Sequence, residues 1–263
     1  MGIDVIIGLA ISGLIAILAY LKKSLTKDGL FMAVLFGMLI YVFGGILVWA
    51  SLIAFFISSS LLTKLHEKKD QSSSKGRNYI QVISNGLVAT IFSIIYYVTA
   101  LEIFLIAAIV SIATSNSDTW ASEIGILSKG KTRYILNFKL APKGVSGAIS
   151  SLGTFASLIG AFFIAIVFTV LASLTQTFEV NTLLYYGMII TIGGFLGCFI
   201  DSYLGGLLQA KYKGVVSGKI TEKKWLPDEK VVLASGIALI TNDAVNFLSG
   251  LFSSILTVLL FAL

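Results

Sequence analysis

The chain has 263 residues, of which 57% are apolar and only 12% are charged. Soluble domains carry about 25% charged residues, so the composition excludes a soluble globular protein and indicates a single integral membrane domain. The net charge of +6 does not indicate nucleic-acid binding, because the sequence contains no soluble basic module that could bind it. The one cysteine, Cys198, excludes an internal disulfide and is expected to serve in packing.

The basic residues fall into four groups that separate apolar segments. They lie within residues 22–27, 64–77, 129–143 and 211–230. Because short loops rich in Lys and Arg stay on the cytoplasmic side of a membrane, all four loops are expected to be cytoplasmic. The sequence therefore predicts a multi-pass protein of the cell membrane with its N-terminus outside.

Apolar stretches of roughly 20 residues, the length that crosses a bilayer, predict the helices. Residues 3–21 are expected to be a retained helix and not a cleaved signal peptide. Residues 30–62 are broken by Gly44-Gly45 and predict two short or tilted helices, or a re-entrant pair, that turn near the glycines. A polar loop is predicted over residues 63–78. The remaining predicted spans are 79–99, 100–121, 145–173, 183–208 and 231–263, the last being one tilted helix or a broken pair.

These segments predict an all-α fold, a polytopic membrane bundle of eight or nine helices. Small residues recur on single helix faces, and such positions allow helices to approach closely in lipid. The two stripes are Ser150, Gly153, Ser157 and Gly160, and Gly193, Gly194 and Gly197.

Five of the 13 acidic residues lie within or at the ends of apolar segments that contain no Lys or Arg. These five residues are Glu102, Asp118, Glu123, Asp201 and Asp243. Carboxylates buried without a cation become protonated or carry a large energetic penalty, and ionisable groups inside a membrane are functional by default. A cation, a proton or a polar ligand is therefore expected as their partner.

Three of these carboxylates lie in similar polar settings. Asp118 is in S-N-S-D-T-W-A-S-E-I-G, Asp201 in F-I-D-S-Y-L-G-G and Asp243 in T-N-D-A-V-N-F-L. Mg²⁺ prefers carboxylate, water and phosphate oxygens and typically takes one or two carboxylates from a protein. We therefore expect Mg²⁺ as cofactor, with these three aspartates as its candidate ligands and with nearby polar contacts from Asn116, Asn242 and Asn246.

The loop 139–147, K-L-A-P-K-G-V-S-G, follows the Asp118 helix. Lys143 precedes Gly144, and a glycine allows the backbone to approach a phosphate closely. Arg133 and Lys139 belong to the same basic loop and are also expected to contact phosphates. Carboxylates that face basic groups describe a metal–phosphate site for phosphoryl transfer. The remaining candidates for substrate or nucleotide contact are Ser117, Glu123 and Ser202.

Four segments resemble the signature segments of a known family, in the same order. They are A-T-S-N-S-D-T-W-A-S-E-I-G, P-K-G-V-S-G-A-I-S-S-L-G-T, I-D-S-Y-L-G-G-L-L-Q and T-N-D-A-V-N-F-L. The family is domain of unknown function 92, which includes transmembrane protein 19 and the plant phytyl-phosphate kinase of tocopherol synthesis. The resemblance extends over residues 81–247. Residues 143–147, K-G-V-S-G, depart from the Gly-Thr-x-Gly-Gly-like run of the family.

The chain also has a looser similarity to CDP-diacylglycerol synthase and to dolichol and phytol kinases. Those enzymes order a D-x-x-A-x-x-x-G segment, a Pro-Lys loop and a later Gly-x-x-x-(Asp/Glu)-Ser segment. The matching residues here are Asp118, Ala121, Gly125, Pro142, Lys143, Gly197, Asp201 and Ser202. The resemblance implies that a nucleotide, commonly CTP, and an isoprenoid lipid react with the help of Mg²⁺.

The favoured function is that of a Mg²⁺-dependent prenyl-phosphate kinase with Asp118, Asp201 and Lys143 as catalytic residues. It would transfer the γ-phosphoryl group of CTP or another NTP to phytyl or geranylgeranyl phosphate, or a similar lipid, at the cytoplasmic face. The alternatives are a cation- or proton-coupled transporter or flippase and, among enzymes, a lipid cytidylyltransferase or a prenol kinase. A transport site should lie near the membrane midplane. The expected partners are the nucleotide, the lipid phosphate and membrane lipids, and a homodimer is left open.

Overall fold

A computed structural model of the protein describes residues 1–70, 76–227 and 229–261, without the side chains of residues 66–70. The side chains of Lys68 and Lys69, and all of Lys75, from the second basic group thus lie outside the described residues. The seven described helices are α1 (Gly2–Leu21), α2 (Lys27–Asp70), α3 (Tyr79–Thr99), α4 (Glu102–Gly125), α5 (Ser151–Leu174), α6 (Val180–Leu207) and α7 (Asn242–Phe261). The five described strands are β1 (Arg133–Tyr134), β2 (Ala148–Ile149), β3 (Lys211–Gly214), β4 (Ile220–Thr221) and β5 (Val231–Ser235).

All seven described helices are long and apolar enough to cross a membrane. The predicted all-α polytopic bundle is therefore confirmed, with a few short strands added to it. The expected number of eight or nine helices is not confirmed. The number seven counts α2 as one element although Gly45 divides it into two arms, and at the end of the chain strand β5 precedes a single helix.

Helix α4 is the centre of the bundle and contacts α2, α3, α5, α6 and α7. Its side chains from Leu105 to Ser117 are all buried. Many of them are small, which lets the neighbouring backbones come close. A Cβ on Gly194 would lie only 2.6 Å from the Cβ of Ala113, and a Cβ on Gly160 only 3.1 Å from Trp120. The two predicted stripes of small residues are therefore contact surfaces of α5 and α6 against α4.

Helix α2 reverses direction at Gly45, where φ is 70° and ψ is −172°. This conformation is essentially restricted to glycine. The two arms, residues 27–44 and 46–70, both face α1. Trp49 Nε1 donates to Ser12 Oγ at 2.9 Å, and a Cβ on Gly37 would lie 2.5 Å from the same oxygen. The predicted helix pair that turns near Gly44-Gly45 is therefore confirmed.

The predicted polar loop over 63–78 is wrong at its start, because the second arm of α2 continues to Asp70. The helix is held there by polar contacts with its neighbours. Lys64 Nζ donates to the Lys22 carbonyl at 2.7 Å, and Thr63 Oγ1 donates to Glu123 Oε1 at 2.6 Å. Of the rest of the predicted loop, residues 71–75 lie outside the described residues, and residues 76–78 are non-helical and precede α3.

The prediction of helix from residue 231 is also wrong. Residues 231–235 form β5, which pairs with β3 in a sheet of order β4-β3-β5, and α7 begins only at Asn242. The pairing places Val232 opposite Lys213 and Val231 opposite Gly214. β-branched valines suit a strand, and the sheet satisfies backbone groups that an isolated apolar segment would leave unpaired.

The described segments that follow α1, α2, α4 and α6 gather at one end of the bundle. Leu25 after α1 pairs with Arg77 before α3, and Gln209 after α6 pairs with Ile237 before α7. Strands β1 and β2, between α4 and α5, pair with each other. At the opposite end, the hydroxyl of Tyr186 donates to the Glu102 carboxylate. Glu102 is therefore remote from the other four carboxylates of the apolar segments.

Candidate active site

Asp118 and Asp201 line one cavity of about 190 Å³ at the end of the bundle that carries the basic segments. Asp118 comes from the last third of α4 and Asp201 from the last third of α6. Asp201 is only 7% exposed, and Asp118 is partly buried. We call this space the first cavity. The structure thus brings together two carboxylates that are 83 positions apart in the numbered sequence.

Helix α7 holds the carboxylate of Asp201 with neutral donors. Ser249 Oγ donates to Asp201 Oδ2 at 2.9 Å. With its amide oriented to suit its neighbours, Asn246 donates to the same oxygen at 3.2 Å and to the Asn242 carbonyl at 3.2 Å. These bonds fix the direction of the carboxylate but do not balance its charge.

No basic side chain of the described residues forms an ion pair with Asp118 or Asp201. Lys143, which lines the same cavity, donates through Nζ to the Ser128 carbonyl, and Lys211 Nζ donates to the Ser146 carbonyl at 2.9 Å. Two neighbouring buried carboxylates without a cation are costly. The pair therefore fits one Mg²⁺, an ion that commonly takes two protein carboxylates and completes its shell with phosphate and water.

Asp243, the third predicted metal ligand, does not line the first cavity. Within residues 1–70, 76–227 and 229–261, no three His, Cys, Asp or Glu side chains form a cluster that could hold a metal. The carboxylates that could hold a metal in the first cavity are therefore the pair Asp118 and Asp201, and Asp243 lines an adjoining cavity.

The wall facing the two aspartates is the loop 143–147, K-G-V-S-G. Gly144 and Gly147 have φ values of 74° and 79°, which favour glycine. A Cβ on Gly147 would lie 2.5 Å from the Gly206 Cα, so the loop packs directly on α6. This close packing holds the loop against the helix that carries Asp201.

Side chains beyond α6 hold the same loop. Ser146 Oγ donates to Gln209 Oε1 at 2.8 Å, and the Ser146 backbone N–H donates to Glu222 Oε1 at 3.2 Å. Burial raises the pKa of Glu222, while that N–H and the nearby Lys211 act in the opposite direction. Burial lowers the pKa of Lys211, and the Glu222 carboxylate opposes this shift. An acidic and a basic group thus stand together beside the loop.

The other predicted contacts divide between the cavity and the helix interfaces. Lys143, Gly144, Ser202 and Asn242 line the first cavity. Asn116 and Ser117, in contrast, are fully buried between α4 and α5. Asn116 Nδ2 donates to the Gly160 carbonyl at 2.6 Å, and Ser117 Oγ donates to the Ser157 carbonyl at 2.7 Å. Their hydrogen bonds serve helix packing.

Arg133 and Lys139, two predicted phosphate contacts, do not line the first cavity. Both are exposed. Arg133 Nη1 donates to the Phe138 carbonyl at 2.6 Å, so its side chain closes the turn that follows β1. Their proposed role in nucleotide binding stays a prediction.

A second cavity, of about 280 Å³, lies on the other side of Asp118. It shares Asp118, Ser122 and Asn242 with the first cavity. Further acidic and amide groups on its wall are Glu123, Asp243 and Asn246, and the basic groups on its wall are Lys23, Lys64 and Arg77. Asp118 therefore stands between a cavity closed by a glycine-containing loop and a cavity lined by three cations.

Sequence reasoning missed several residues of this region. Ser249 could have been found, because it lies three residues after Asn246 and so shares its helix face. Arg77 gave no signal of its own, because only the reversal of α2 at Gly45 brings the chain before α3 to the site. Glu222 lies in the fourth basic segment of the sequence, and only the β3–β4 pairing brings it to the first cavity.

Residues 10–254 match the family model described as integral membrane protein DUF92. The chain is 31% identical to Protein PGR of Arabidopsis thaliana, over 96% of this chain and 94% of that protein. It is 31% identical to an uncharacterized membrane protein of Methanocaldococcus jannaschii, over 80% of this chain and 85% of that one.

A further relative is Protein VTE6, chloroplastic, of Arabidopsis thaliana, which is 31% identical over 59% of this chain and 50% of its own length. No solved structure matches the chain. The family match covers nearly all seven described helices and both aspartates of the first cavity. The chain therefore belongs to the integral membrane protein family DUF92.

Proposed function

We propose that the protein is a prenyl-phosphate kinase, which transfers the γ-phosphoryl group of CTP or another NTP to an isoprenoid monophosphate. The observation that carries this proposal is the position of Asp118. It pairs with Asp201 in a cavity walled by the loop 143–147, and it also lines a second cavity that contains three cations. Such a layout gives a phosphoryl donor and an anionic acceptor separate spaces that meet at one carboxylate.

The reaction needs little covalent chemistry from the protein. An oxygen of the lipid phosphate attacks the γ-phosphorus, the bond from that phosphorus to the β,γ-bridging oxygen breaks, and the nucleoside diphosphate leaves with the electron pair. The products are a lipid diphosphate and NDP. Catalysis of this kind rests on positioning and on charge stabilisation. Bound Mg²⁺ supplies Lewis-acid stabilisation of phosphoryl oxygens.

The residues of the chain have distinct tasks in this scheme. Asp118 and Asp201 hold the cation, while Ser249 and Asn246 orient Asp201. The loop 143–147 meets the donor phosphates through its backbone and Lys143. A phosphate acceptor has a second pKa of about 6, so it is already a dianion at neutral pH and requires no general base.

The location of the carboxylates supports an enzyme over a transporter. Asp118 lies seven residues before the end of α4 and Asp201 six before the end of α6, which is about 10 Å from the helix ends. Asp243 lies in the first turn of α7. A transport site is expected near the midplane. The resemblance of the signature segments to a family with a phytyl-phosphate kinase supports the same choice.

The proposal is tested by comparing Asp118→Asn and Asp201→Asn with Glu179→Gln, an exposed carboxylate at the other end of the bundle. Loss of a metal ligand removes several kcal/mol of charge stabilisation, so both Asn variants should transfer phosphate at least about 100-fold more slowly. Glu179→Gln should retain the wild-type rate. The assay follows label from γ-labelled NTP into lipid, and thermal unfolding checks folding.

Full activity in a folded Asp118→Asn protein would show that the reaction does not require the Asp118 carboxylate. A loss of activity in Glu179→Gln as large as that in the Asn variants would show that the assay reports a general effect of substitution on the protein and not the loss of a metal ligand.

A further inference from the structure

Arg77 stands at the junction of two cavities and has a fixed backbone. Its N–H donates to the Ser24 carbonyl at 3.0 Å, and its own carbonyl accepts from the Thr26 N–H at 3.0 Å. Its guanidinium lies over the rings of Phe55 and Phe56, 5.4 and 5.5 Å from their centroids. Cations over aromatic faces are held in place by the ring quadrupole. The side chain is thus directed by packing as well as by charge.

The Arg77 guanidinium has no ion-pair partner among the side chains that the structure describes. Burial lowers its pKa to about 10, while the Glu123 carboxylate acts in the opposite direction, so the guanidinium remains charged at neutral pH. A partly buried cation without an ion pair favours an anionic ligand. A planar guanidinium also matches the paired oxygens of a phosphate.

On one side of Arg77 lies the second cavity, where Lys23 and Lys64 add positive charge. On the other side lies a third cavity of about 70 Å³, between α1, both arms of α2 and α3. Its lining is mostly apolar and includes Ala16, Leu25, Ala33, Phe36, Leu52 and Val82. Arg77, Phe55, Gln81 and Asn85 belong to both cavities. The lining of the space therefore changes from charged to apolar across one guanidinium.

We infer that the second and third cavities together form the acceptor site, which binds a lipid monophosphate with its phosphate at Arg77 and its hydrocarbon chain towards the third cavity. The role of this site as the acceptor site rests on the proposed kinase function. The class of ligand that it binds rests on geometry alone. An amphiphile with an anionic head matches both the cations and the apolar lining. The donor nucleotide is then left to the first cavity, on the opposite side of Asp118.

The first test measures KM for both substrates in Arg77→Gln, Arg77→Lys and the control Lys27→Gln, which removes an exposed charge at the start of α2. Loss of a charge-assisted bond to the acceptor should raise its KM about 10- to 100-fold in Arg77→Gln, with the KM for NTP unchanged. The acceptor KM of Arg77→Lys should lie between those of the wild type and Arg77→Gln. Lys27→Gln should have the KM values of the wild type. An unchanged acceptor KM in Arg77→Gln, or an equal rise in both KM values, overturns the inference.

The second test measures binding without nucleotide, so that it does not depend on kinase activity. Farnesyl monophosphate should raise the unfolding temperature of the wild type and of Lys27→Gln more than farnesol or inorganic phosphate does at equal concentration. The shift should be lost in Arg77→Gln. If this pattern appears but no NTP is a donor, the proposed function fails and the acceptor site stands. If inorganic phosphate alone gives the full shift, or if Arg77→Gln is stabilised equally, the acceptor site fails.

A third variant tests the hydrocarbon side of the site. Ala33→Leu adds bulk to the lining of the third cavity, so it should raise the KM for geranylgeranyl monophosphate more than the KM for isopentenyl monophosphate. The KM for NTP serves as the internal check on folding. Equal effects on the KM values of the long and short acceptors would exclude the third cavity as the binding site of the hydrocarbon chain.

Discussion

Asp118 differs in role from Asn116 and Ser117, the two residues that precede it in α4. Asn116 and Ser117 bond to backbone carbonyls of α5, whereas Asp118 faces two cavities. The sequence indicated a polar cluster. It could not separate the three, because successive helix residues point in different directions and the positions of the neighbours are unknown. The pairing of Asp118 with Asp201 was predictable, because their polar settings are alike.

Ser249 is a positioning residue, and its removal should weaken the metal site without destroying it. Ser249→Ala deletes the 2.9 Å bond to Asp201 Oδ2. Loss of such an outer contact typically costs about 10- to 100-fold in metal affinity, so the Mg²⁺ concentration for half-maximal activity should rise by that factor. The measurement is a Mg²⁺ titration of phosphate transfer.

The matched control is Ser253→Ala, about one turn further along α7, whose hydroxyl bonds to Thr114. This variant should lower thermal stability but leave the Mg²⁺ requirement unchanged. If both variants shift the requirement equally, Ser249 has only a structural role.

At the scale of elements, the reversal of α2 was predictable from Gly44-Gly45, whereas the sheet at the end of the chain was not. The run V-V-L-A-S is apolar and continues towards a helical stretch, so hydrophobicity alone favours a membrane segment. Its actual partner is β3, some 20 positions earlier in the numbering, and such long-range pairing leaves no periodic pattern in a short strand. For the same reason, the position of Glu222 at the first cavity was not predictable from the sequence.

Gly45→Ala should destabilise the hairpin of α2. No atom lies within 4 Å of a Cβ added there, so the expected cost comes only from the backbone conformation at φ 70°. Strain of this kind costs of the order of 1–3 kcal/mol. Gly13→Ala, which also places its Cβ in open space but at an ordinary φ, is the control. A thermal midpoint equal to that of Gly13→Ala would contradict the assigned reversal.

Gly194→Ala should disrupt the contact between α6 and α4. Its Cβ would lie 2.6 Å from the Ala113 Cβ and 3.0 Å from the Ala113 backbone carbon, atoms that cannot rotate away. Overpacking of this kind costs about 1–3 kcal/mol, and the resulting shift of α6 should also lower activity through Asp201. Unfolding in detergent and the transfer assay measure the two effects. Unchanged stability would show that the helices are not in close contact.

At the scale of the whole molecule, the structure gathers all the described basic segments at the end that holds the first and second cavities. The positive-inside rule then predicts that this end faces the cytoplasm. On a Cys198→Ser background, which removes a buried thiol, Lys213→Cys and Gln176→Cys place exposed thiols at opposite ends. A membrane-impermeant maleimide should label Gln176→Cys on intact cells and Lys213→Cys only after permeabilisation. Labelling of Lys213→Cys on intact cells would reverse the orientation.

The proposed reaction is the transfer of a phosphoryl group from a nucleotide to a prenyl monophosphate. The most direct measurement supplies purified protein in nanodiscs with Mg²⁺, γ-labelled CTP and either geranylgeranyl monophosphate or geranylgeraniol. We expect label in geranylgeranyl diphosphate and none in a product of the alcohol. In Asp118→Asn, both the labelled product and the release of NDP should be lost. A folded preparation that transfers no label from CTP or any other NTP to the monophosphate would contradict the proposed reaction.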